Sequence, residues 1–502
     1  MPRVKTVTEK PPKSLDIPGW FKQFWIYTQR DFWAKISNTQ YIALNILEAP
    51  ILGFVLAYLI RYIVDPDSDV YIFRENANIP IYIFMGTVVA IFFGLIVSAE
   101  EIFKDAKILK RERFLNLSRS AYLMSKIFIL MGLSAIQMLL FIVVGNLEIS
   151  FRGMNPEFWL MLFSVAVSSN VLGLIISSTF NSIVTIYIMI PLIMIPQMVL
   201  GGAMFTFDKL NKDISAVDKV PLVAEVIPAR YAYEGLIVYQ YKNNKFEKTF
   251  FDDELAERQA DFKTVYYLPK IKDVLEAVQS ARKEHKTDNR QYLTDLALLA
   301  NELGKETRRQ PQVKFDCLAK LNEADFNDEV YAQTGEYIDA LNELYQAQFM
   351  KANSARERKI SYYLEHQRDT YNALKNEYYN EAVSDVVTKT FDKNKILRDG
   401  DRLIQIKDPI YQIPEPEGIL RFRSHFFSPK KYFFGFYIET LWFNILAVWV
   451  ITAVLYAVLY YDLARKGFEK LADIDFKKRL APLASLCSRL FSRKAKAQAK
   501  KA

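Results

Sequence analysis

Long apolar runs alternate with polar segments along the first 206 residues, and one more run follows near the carboxyl end. The runs are Tyr41–Val64, Ile79–Ala99, Ala121–Val144, Glu157–Phe180, Ile183–Phe205 and Tyr437–Tyr461. About 20 apolar residues suffice for a helix to cross the hydrocarbon core of a bilayer. The pattern therefore predicts an all-α membrane protein with six transmembrane helices.

Between the fifth and sixth runs, residues 246–430 are polar and rich in helix-forming residues. Apolar side chains recur there at helical spacing, for example Tyr337, Leu341, Leu344, Tyr345 and Phe349. We expect a large helical extracytoplasmic insert.

The polar segment between the second and third runs is strongly basic, with six Lys/Arg from Lys104 to Arg119. Short loops rich in Lys/Arg stay in the cytoplasm. Six spans then leave both termini cytoplasmic, which agrees with twelve Lys/Arg after Asp462. Residues 208–430 hold 35 Lys/Arg and 38 Asp/Glu, so the basic excess lies outside the insert. These charges alone also fit an ordinary loop that only fixes topology.

Hydrophobic residues make up 51% of the 502, with 36 Phe and 29 Tyr, as expected for an integral membrane protein with a sizeable polar part. The basic ends are not accompanied by a nucleic-acid recognition module, so we expect no nucleic acid partner. The basic regions suit anionic membrane lipid instead. Cys317 and Cys487 fall on opposite sides of the predicted membrane, so no disulfide is expected, and three scattered histidines form no obvious metal site.

Two segments near the amino end favour specific roles. Trp20–Ser37 has aromatic residues mostly on one side, as in a helix lying at the membrane interface. Glu48 lies within the first span. A carboxylate in such a place is a functional candidate, but Glu48 is also close enough to the cytoplasmic end to sit among headgroups.

The basic segment has a characteristic spacing: Asp105, Glu112 and Arg119 are each seven residues apart, and Ser120-Ala121-Tyr122 and Lys126 follow. This pattern resembles the G-subfamily of ATP-binding cassette transporters, whose corresponding segment is a coupling helix that docks on the ATPase. The resemblance implies a coupling helix at residues 100–120, with Arg30 of the interfacial connecting helix as a partner of Glu112.

A second part of the chain, from Gly201-Gly202-Ala203 to Leu236, also resembles this subfamily. Arg230, Tyr231 and Glu234 correspond to a re-entrant hairpin on the outer side. By the same resemblance, Met204 and Phe205 are candidates for an outer seal, and Phe93 for the wall of a central cavity.

The implied organisation is a cytoplasmic amino end with the connecting helix (1–40), spans one to five (41–206), an outer hairpin (207–245), the insert (246–430), the sixth span (431–461) and a basic cytoplasmic tail (462–502). The resemblance implies a type-2 permease that works as a homo- or heterodimer, and we expect it in the inner membrane of a bacterium. The substrate expected for it is lipid-like or hydrophobic, and the direction is export.

No G-x-x-x-x-G-K-[ST] phosphate-binding loop occurs, since Gly304-Lys305 is followed by Glu306. We therefore expect no cofactor and no enzymatic activity in this chain, with ATP and Mg²⁺ bound by a partner ABC ATPase subunit or domain. The alternative is a membrane-anchored scaffold or receptor-like protein that acts through the insert. A membrane-anchored enzyme is disfavoured, because we find no nucleophile–base set.

Overall fold

The computed structural model describes residues 18–472 except 66, 68, 113–117, 212, 216–217, 286–288, 417 and 419–421, and it leaves aside the side chains of Glu112, Leu471 and Ala472. The described part is mostly helical. Within it, five helices are long and apolar enough to cross a membrane. They are α2 (Thr39–Ile60), α3 (Ile79–Ser98), α5 (Arg119–Glu148), α6 (Asn155–Thr179) and α15 (Thr440–Tyr460).

The predicted fifth span is a shorter helix, α7 (Ile183–Val199). Its 17 residues rise about 26 Å, somewhat less than the ~30 Å core of a bilayer. The helix ends at Val199, six residues before Phe205, and Gly201 and Gly202 follow. Gly202 has a φ of +84°, and a Cβ there would lie 2.5 Å from the Phe426 ring. The count of six spans therefore stays a prediction.

Close helix packing forms the centre of the bundle. Helix α3 packs on α6, α2 on α5, and α15 on α6. Gly94 allows α3 to approach α6 closely, because a Cβ on it would lie 2.5 Å from the carbonyl oxygen of Ala166. Small residues serve the same purpose in membrane bundles generally. Phe93, Phe141 and Phe158 fill the core around these crossings.

Three further helices gather at one end of the bundle, which we call the α4 end. Helix α1 (Trp20–Ile36) packs along α5. Helix α4 (Glu101–Glu112) follows α3 after two residues and packs on α6. Helix α16 (Leu463–Ala472) follows α15.

The opposite end, the insert end, begins with α8 (Pro228–Asn243), which packs on α15, α3 and α6. The helices that follow are α9 (Phe251–Phe262), α10 (Leu268–Lys283), α11 (Arg290–Arg309), α12 (Asp328–His366), α13 (Arg368–Tyr378) and α14 (Glu381–Thr388). A π-helical turn, Lys263–Tyr267, joins α9 to α10. Short 3₁₀ turns lie at Phe73–Glu75, Phe207–Lys209, Leu222–Val226, Glu247–Thr249, Leu318–Lys320 and Pro409–Tyr411.

Two antiparallel hairpins are the exception to the all-α expectation. Strand β1 (Ile396–Asp399) pairs with β2 (Arg402–Gln405), and β3 (Lys430–Phe433) pairs with β4 (Phe436–Glu439). The sixth span consequently begins at Thr440 and not at Tyr437, because Phe436–Glu439 is hydrogen-bonded to the preceding strand.

The insert contains two kinds of packing. Residues between Phe262 and Tyr345 form a core of their own. By contrast, Phe251, Val383, Ile410 and Tyr411 belong to the core that also contains the spans. The Asn380 side-chain amide donates to the carbonyl oxygens of Phe73 (2.8 Å) and Asn76 (2.9 Å). The first residues of the insert and its part after residue 379 therefore pack against the membrane domain.

Candidate functional site

Helix α1 is fixed to the start of α5 by polar contacts of its first turn. Gln23 accepts a hydrogen bond from the Ser118 backbone N–H (2.7 Å) and donates one to the Pro18 carbonyl (2.6 Å). The Trp20 indole donates to the Ser120 hydroxyl (2.8 Å). The amphipathic helix predicted from the sequence is therefore attached at a defined register.

A buried ammonium group, that of Lys126 on α5, joins three helices. Its Nζ lies 2.6 Å from Asp31 of α1, 3.0 Å from Glu101 and 3.0 Å from Asp105, both on α4. Lys35 of α1 completes the set, 2.5 Å from Glu101. We call Asp31, Lys35, Glu101, Asp105 and Lys126 the Lys126 cluster.

The Lys126 cluster is largely shielded from solvent, with Lys126 4% and Glu101 10% exposed. Three carboxylates face two ammonium groups. Removing one member of a buried set leaves an uncompensated charge, at a cost of about 3–5 kcal/mol. The cluster therefore favours one fixed arrangement of α1, α4 and α5.

Aromatic contacts border the cluster. The Tyr122 hydroxyl donates to Asp105 (3.0 Å), and the rings of Tyr27 and Tyr122 meet edge to face with centroids 5.6 Å apart. These rings exclude water from one side of the charges and help to orient Asp105.

Helix α4 is attached to α6 and α7 as well. The first N–H groups of a helix have no partner within it. Here the Ser177 hydroxyl of α6 accepts from the N–H groups of Ile102 and Phe103, each at 3.0 Å. The Tyr187 hydroxyl of α7 donates to Glu100, just before α4, at 2.6 Å. A displacement of α4 would therefore act on several helices at once.

The four residues predicted to couple the chain to an ATPase are placed differently by the structure. Asp105 is a member of the Lys126 cluster. Arg119 reaches Asp462 beyond α15, with two contacts of 2.5 Å, and also donates to the Leu459 carbonyl (3.2 Å). The Arg30 guanidinium lies 5.1 Å from the centre of the Tyr27 ring. The Glu112 side chain lies outside the described residues, so its pairing with Arg30 stays a prediction.

Four members of the cluster were not chosen as site residues from the sequence: Asp31, Lys35, Glu101 and Lys126. One signal for Lys126 was present. A charged residue two turns inside an apolar helix is a functional candidate, by the same reasoning that was applied to Glu48. Asp31 and Lys35 are four residues apart on α1, which places them on one helix face. Nothing in the sequence pairs that face with Lys126.

A second buried set of charges lies at the insert end and contains all three residues of the predicted outer hairpin. Glu234, which is fully buried, lies 2.6 Å from Lys431 of β3 and 3.5 Å from Arg230. Arg230 also lies 3.4 Å from Glu225, to which the Tyr231 hydroxyl donates (2.7 Å). We call Glu225, Arg230, Tyr231, Glu234 and Lys431 the Glu234 cluster.

Burial alone would raise the pKa of the Glu234 carboxyl, but the charges of Arg230 and Lys431 outweigh it and hold that pKa below its usual range. Asn444 of α15 adds hydrogen bonds to Glu234 (3.1 Å) and to the Tyr231 carbonyl (2.8 Å). The hairpin is thus fixed to the sixth predicted span and to the strand before it.

The candidates for a cavity wall or gate lie on separate elements. Glu48 is partly buried on α2. Phe93 of α3 is 1% exposed, inside the core of the bundle. Met204 and Phe205, after α7, are 56% and 49% exposed. Among the described residues, no hydrogen bond or ion pair joins these four, so their grouping remains an expectation.

Comparison with known proteins gives one family. Residues 22–241 match the family described as ABC-2 type transporter. This range includes the whole Lys126 cluster and every member of the Glu234 cluster except Lys431. No curated protein matches the chain.

Proposed function

We propose that the chain, whose residues 22–241 match the family described as ABC-2 type transporter, is the membrane permease subunit of an ATP-driven exporter. The partner is an ABC ATPase subunit or domain, which binds ATP and Mg²⁺. Two permease copies, identical or different, form the translocation path as in the G-subfamily. The exported molecule is lipid-like or hydrophobic, and both termini face the cytoplasm of a bacterium.

The observation that carries the proposal is the attachment of α4 through the Lys126 cluster. Helix α4 has one face bound to Lys126 and Ser177 and another face exposed. Lys104, Lys107, Ile108, Lys110 and Arg111 are exposed there. A helix that is fixed on one side and free on the other suits a coupling element, because a partner can press on the free face without breaking the attachment.

Two sets of contacts provide a route from that helix to the insert end. At the α4 end, Arg119 connects the start of α5 to Asp462, directly after α15. At the other end, Asn444 connects α15 to Glu234 of the hairpin. Helix α15 is therefore attached near both ends to residues of the matched range, Arg119 and Glu234. Movement of α4 that shifts α5 would be passed to α15 and then to the hairpin.

Affinity purification from the native membrane tests the partnership. We expect an ABC ATPase to co-purify with the chain in near-stoichiometric amount. A triple variant, Lys107→Glu, Lys110→Glu and Arg111→Glu, should insert into the membrane normally and lose the ATPase. A matched triple variant of exposed bases in the insert, Lys283→Glu, Arg358→Glu and Lys393→Glu, should keep it. Purification without any ABC ATPase would overturn the proposal.

The alternative function, a scaffold or receptor-like protein, draws on a different observation. The insert has an apolar core of its own, between Phe262 and Tyr345, in addition to the part that packs on the spans. Such a unit can present a binding surface without transport. Recovery of other partners through the insert, in the absence of an ATPase, would favour this function.

A further inference from the structure

A cavity of about 850 Å³ lies mainly within the insert, with Asp218, Lys219 and Tyr437 also on its wall, and it has no role in the coupling described above. Its walls come from α9, the π-helical turn, α11 and α12 on one side. The other side is formed by β2, by the segment around residues 411–416 and by Arg423, Ser424 and His425. We call it the insert cavity. Its volume falls within the range of about 300–1,000 Å³ that is usual for small-molecule sites.

The charges on the cavity wall are mainly basic, with seven Lys/Arg against four Asp/Glu. Some of the bases are neutralised by close partners: Glu306, fully buried behind the wall, lies 2.6 Å from Lys263 and 3.0 Å from Arg309. Others are not. Arg402 has only loose contacts with Asp218 (3.9 Å) and Asp399 (3.7 Å), and Lys351 has no ion pair among the described residues. The cavity therefore retains positive charge that no acidic neighbour closely compensates.

The same wall carries aromatic and aliphatic groups next to these bases. Phe262, Tyr267, Tyr345 and Ile404 all line the cavity. The π-helical turn places Lys263 directly against the Tyr267 ring, with Nζ 3.4 Å from its centre. Single π-helical turns inside α-helices are found frequently at functional sites. Apolar walls with a few placed polar groups are typical of ligand sites.

We propose that the insert cavity binds an organic anion in which an acidic head, such as a phosphate, is joined to an apolar body. The head would lie near Lys351 and Arg402, where uncompensated positive charge is available. The body would contact the aromatic wall. Such an anion is either a soluble molecule or a lipid, and both would offer the cavity an acidic head joined to an apolar body.

A chain of hydrogen bonds connects the cavity wall to the hairpin of the membrane domain. Ser424, which lines the cavity, accepts a hydrogen bond from Lys431 (2.7 Å), and Lys431 holds Glu234 of the hairpin. The binding itself needs neither an ATPase nor transport, so it can be tested independently of the proposed function.

The experiment uses the full chain in nanodiscs of uncharged lipid and isothermal titration with defined probes. 1-Naphthyl phosphate joins an acidic head to an apolar ring. Inorganic phosphate lacks the ring, and 1-naphthylmethylamine reverses the charge. We expect saturable binding of one 1-naphthyl phosphate per chain, at least about tenfold weaker binding of inorganic phosphate, and none of the amine. Equal binding of inorganic phosphate, or no binding of 1-naphthyl phosphate, would overturn the proposal.

Variants locate the site. Lys351→Glu with Arg402→Glu should weaken binding of 1-naphthyl phosphate by about tenfold or more, because each replaces an attraction by a repulsion. Ala355→Trp, which fills the cavity from α12 without changing charge, should weaken it as well. Arg358→Glu with Lys393→Glu is the matched control, since both are exposed positions that do not line the cavity. Unchanged binding in both cavity variants would place the probe elsewhere and refute the proposal.

Short-chain dihexanoyl phosphatidic acid then separates the two sources. If the competition shows that dihexanoyl phosphatidic acid binds the cavity more tightly than 1-naphthyl phosphate does, the cavity selects a lipid. If it fails to compete, the natural ligand is a soluble organic anion. Each of these results supports an organic-anion site and identifies its source.

Discussion

The ammonium group of Lys126 lies 2.6 Å from the Asp31 carboxylate, although 95 residues separate the two along the chain. The pair joins the interfacial helix α1 to the transmembrane helix α5. Glu101 and Asp105 bring α4 to the same ammonium group. One lysine side chain thus contacts carboxylates of two other helices at the α4 end.

Lys126→Met should destabilise the protein by about 3–5 kcal/mol, because it leaves Asp31, Glu101 and Asp105 with Lys35 as the only cation of the cluster. Unfolding in SDS or by heat measures the change. Adding Asp31→Asn should recover part of the loss. The control is Lys104→Met, whose 63% exposed side chain pairs with Glu100 and should cost under about 1 kcal/mol. Equal effects of the two lysine substitutions would show that the cluster does not hold the helices together.

Lys431→Met should likewise cost about 3–5 kcal/mol, since it removes the closest cation from the fully buried Glu234. The double variant with Glu234→Gln should cost less than the sum of the two single substitutions. Lys430→Met, the neighbouring position on β3, has no ion pair among the described residues and serves as the control. Additive costs in the unfolding measurement would argue against coupling between Lys431 and Glu234.

Stability should fall in acid partly through His425. Burial lowers the pKa of this imidazole to about 4, while its hydrogen bond with the Pro409 carbonyl (2.9 Å) acts the other way. An unfolded histidine titrates near pH ~6.5. Because the pKa of His425 is lower in the folded protein than in the unfolded chain, its contribution to the free energy of unfolding is complete above about pH 6.5. This contribution is lost as the pH falls toward 4.

His425→Gln should therefore make the unfolding midpoint depend less on pH between 6.5 and 4, because glutamine does not titrate. Its side chain still offers an N–H to the Pro409 carbonyl. His366→Gln, at an exposed position, is the control and should leave the profile of the wild type. An unchanged profile in His425→Gln would show that His425 is not the group responsible.

Glu112→Arg should uncouple ATP hydrolysis from substrate in the reconstituted complex while leaving assembly intact, provided that Glu112 pairs with Arg30. Adding Arg30→Glu should then restore part of the substrate-stimulated hydrolysis. Glu469→Arg, an exposed position on α16, controls for charge reversal at the same end. If substrate still stimulates ATP hydrolysis normally in Glu112→Arg, the basic segment serves only to fix the topology.

The topology predicts opposite labelling of the two ends. Cysteines are placed singly at Lys110, Arg152 and Lys494 after Cys317 and Cys487 have been replaced by alanine. A membrane-impermeant maleimide should label position 152 in intact cells, and positions 110 and 494 only after permeabilisation. Labelling of position 494 in intact cells would contradict the six-span topology.

The sequence by itself determined the membrane class and the approximate positions of five long helices. In lipid, a run of about 20 apolar residues can satisfy its backbone hydrogen-bonding groups by itself only as a helix. The apolar composition of such a run therefore predicts a transmembrane helix. The spans predicted at Ile79–Ala99 and Glu157–Phe180 accordingly agree with the structure within two residues at each end. Arg230, Tyr231 and Glu234 could be marked in the sequence through their resemblance to the G-subfamily, because that resemblance lies in a short continuous segment.

Tertiary structure decided which charges meet. Glu234 is paired with Lys431, 197 residues away, and Lys126 with Asp31, and neither pair shares a helix or a strand. Hydrophobic periodicity records which positions must be buried, but it carries no information about which distant element covers them. In the same way, Lys263 of the π-helical turn meets Glu306, 43 residues away, and the wall of the cavity beside it comes from segments that are remote in the chain.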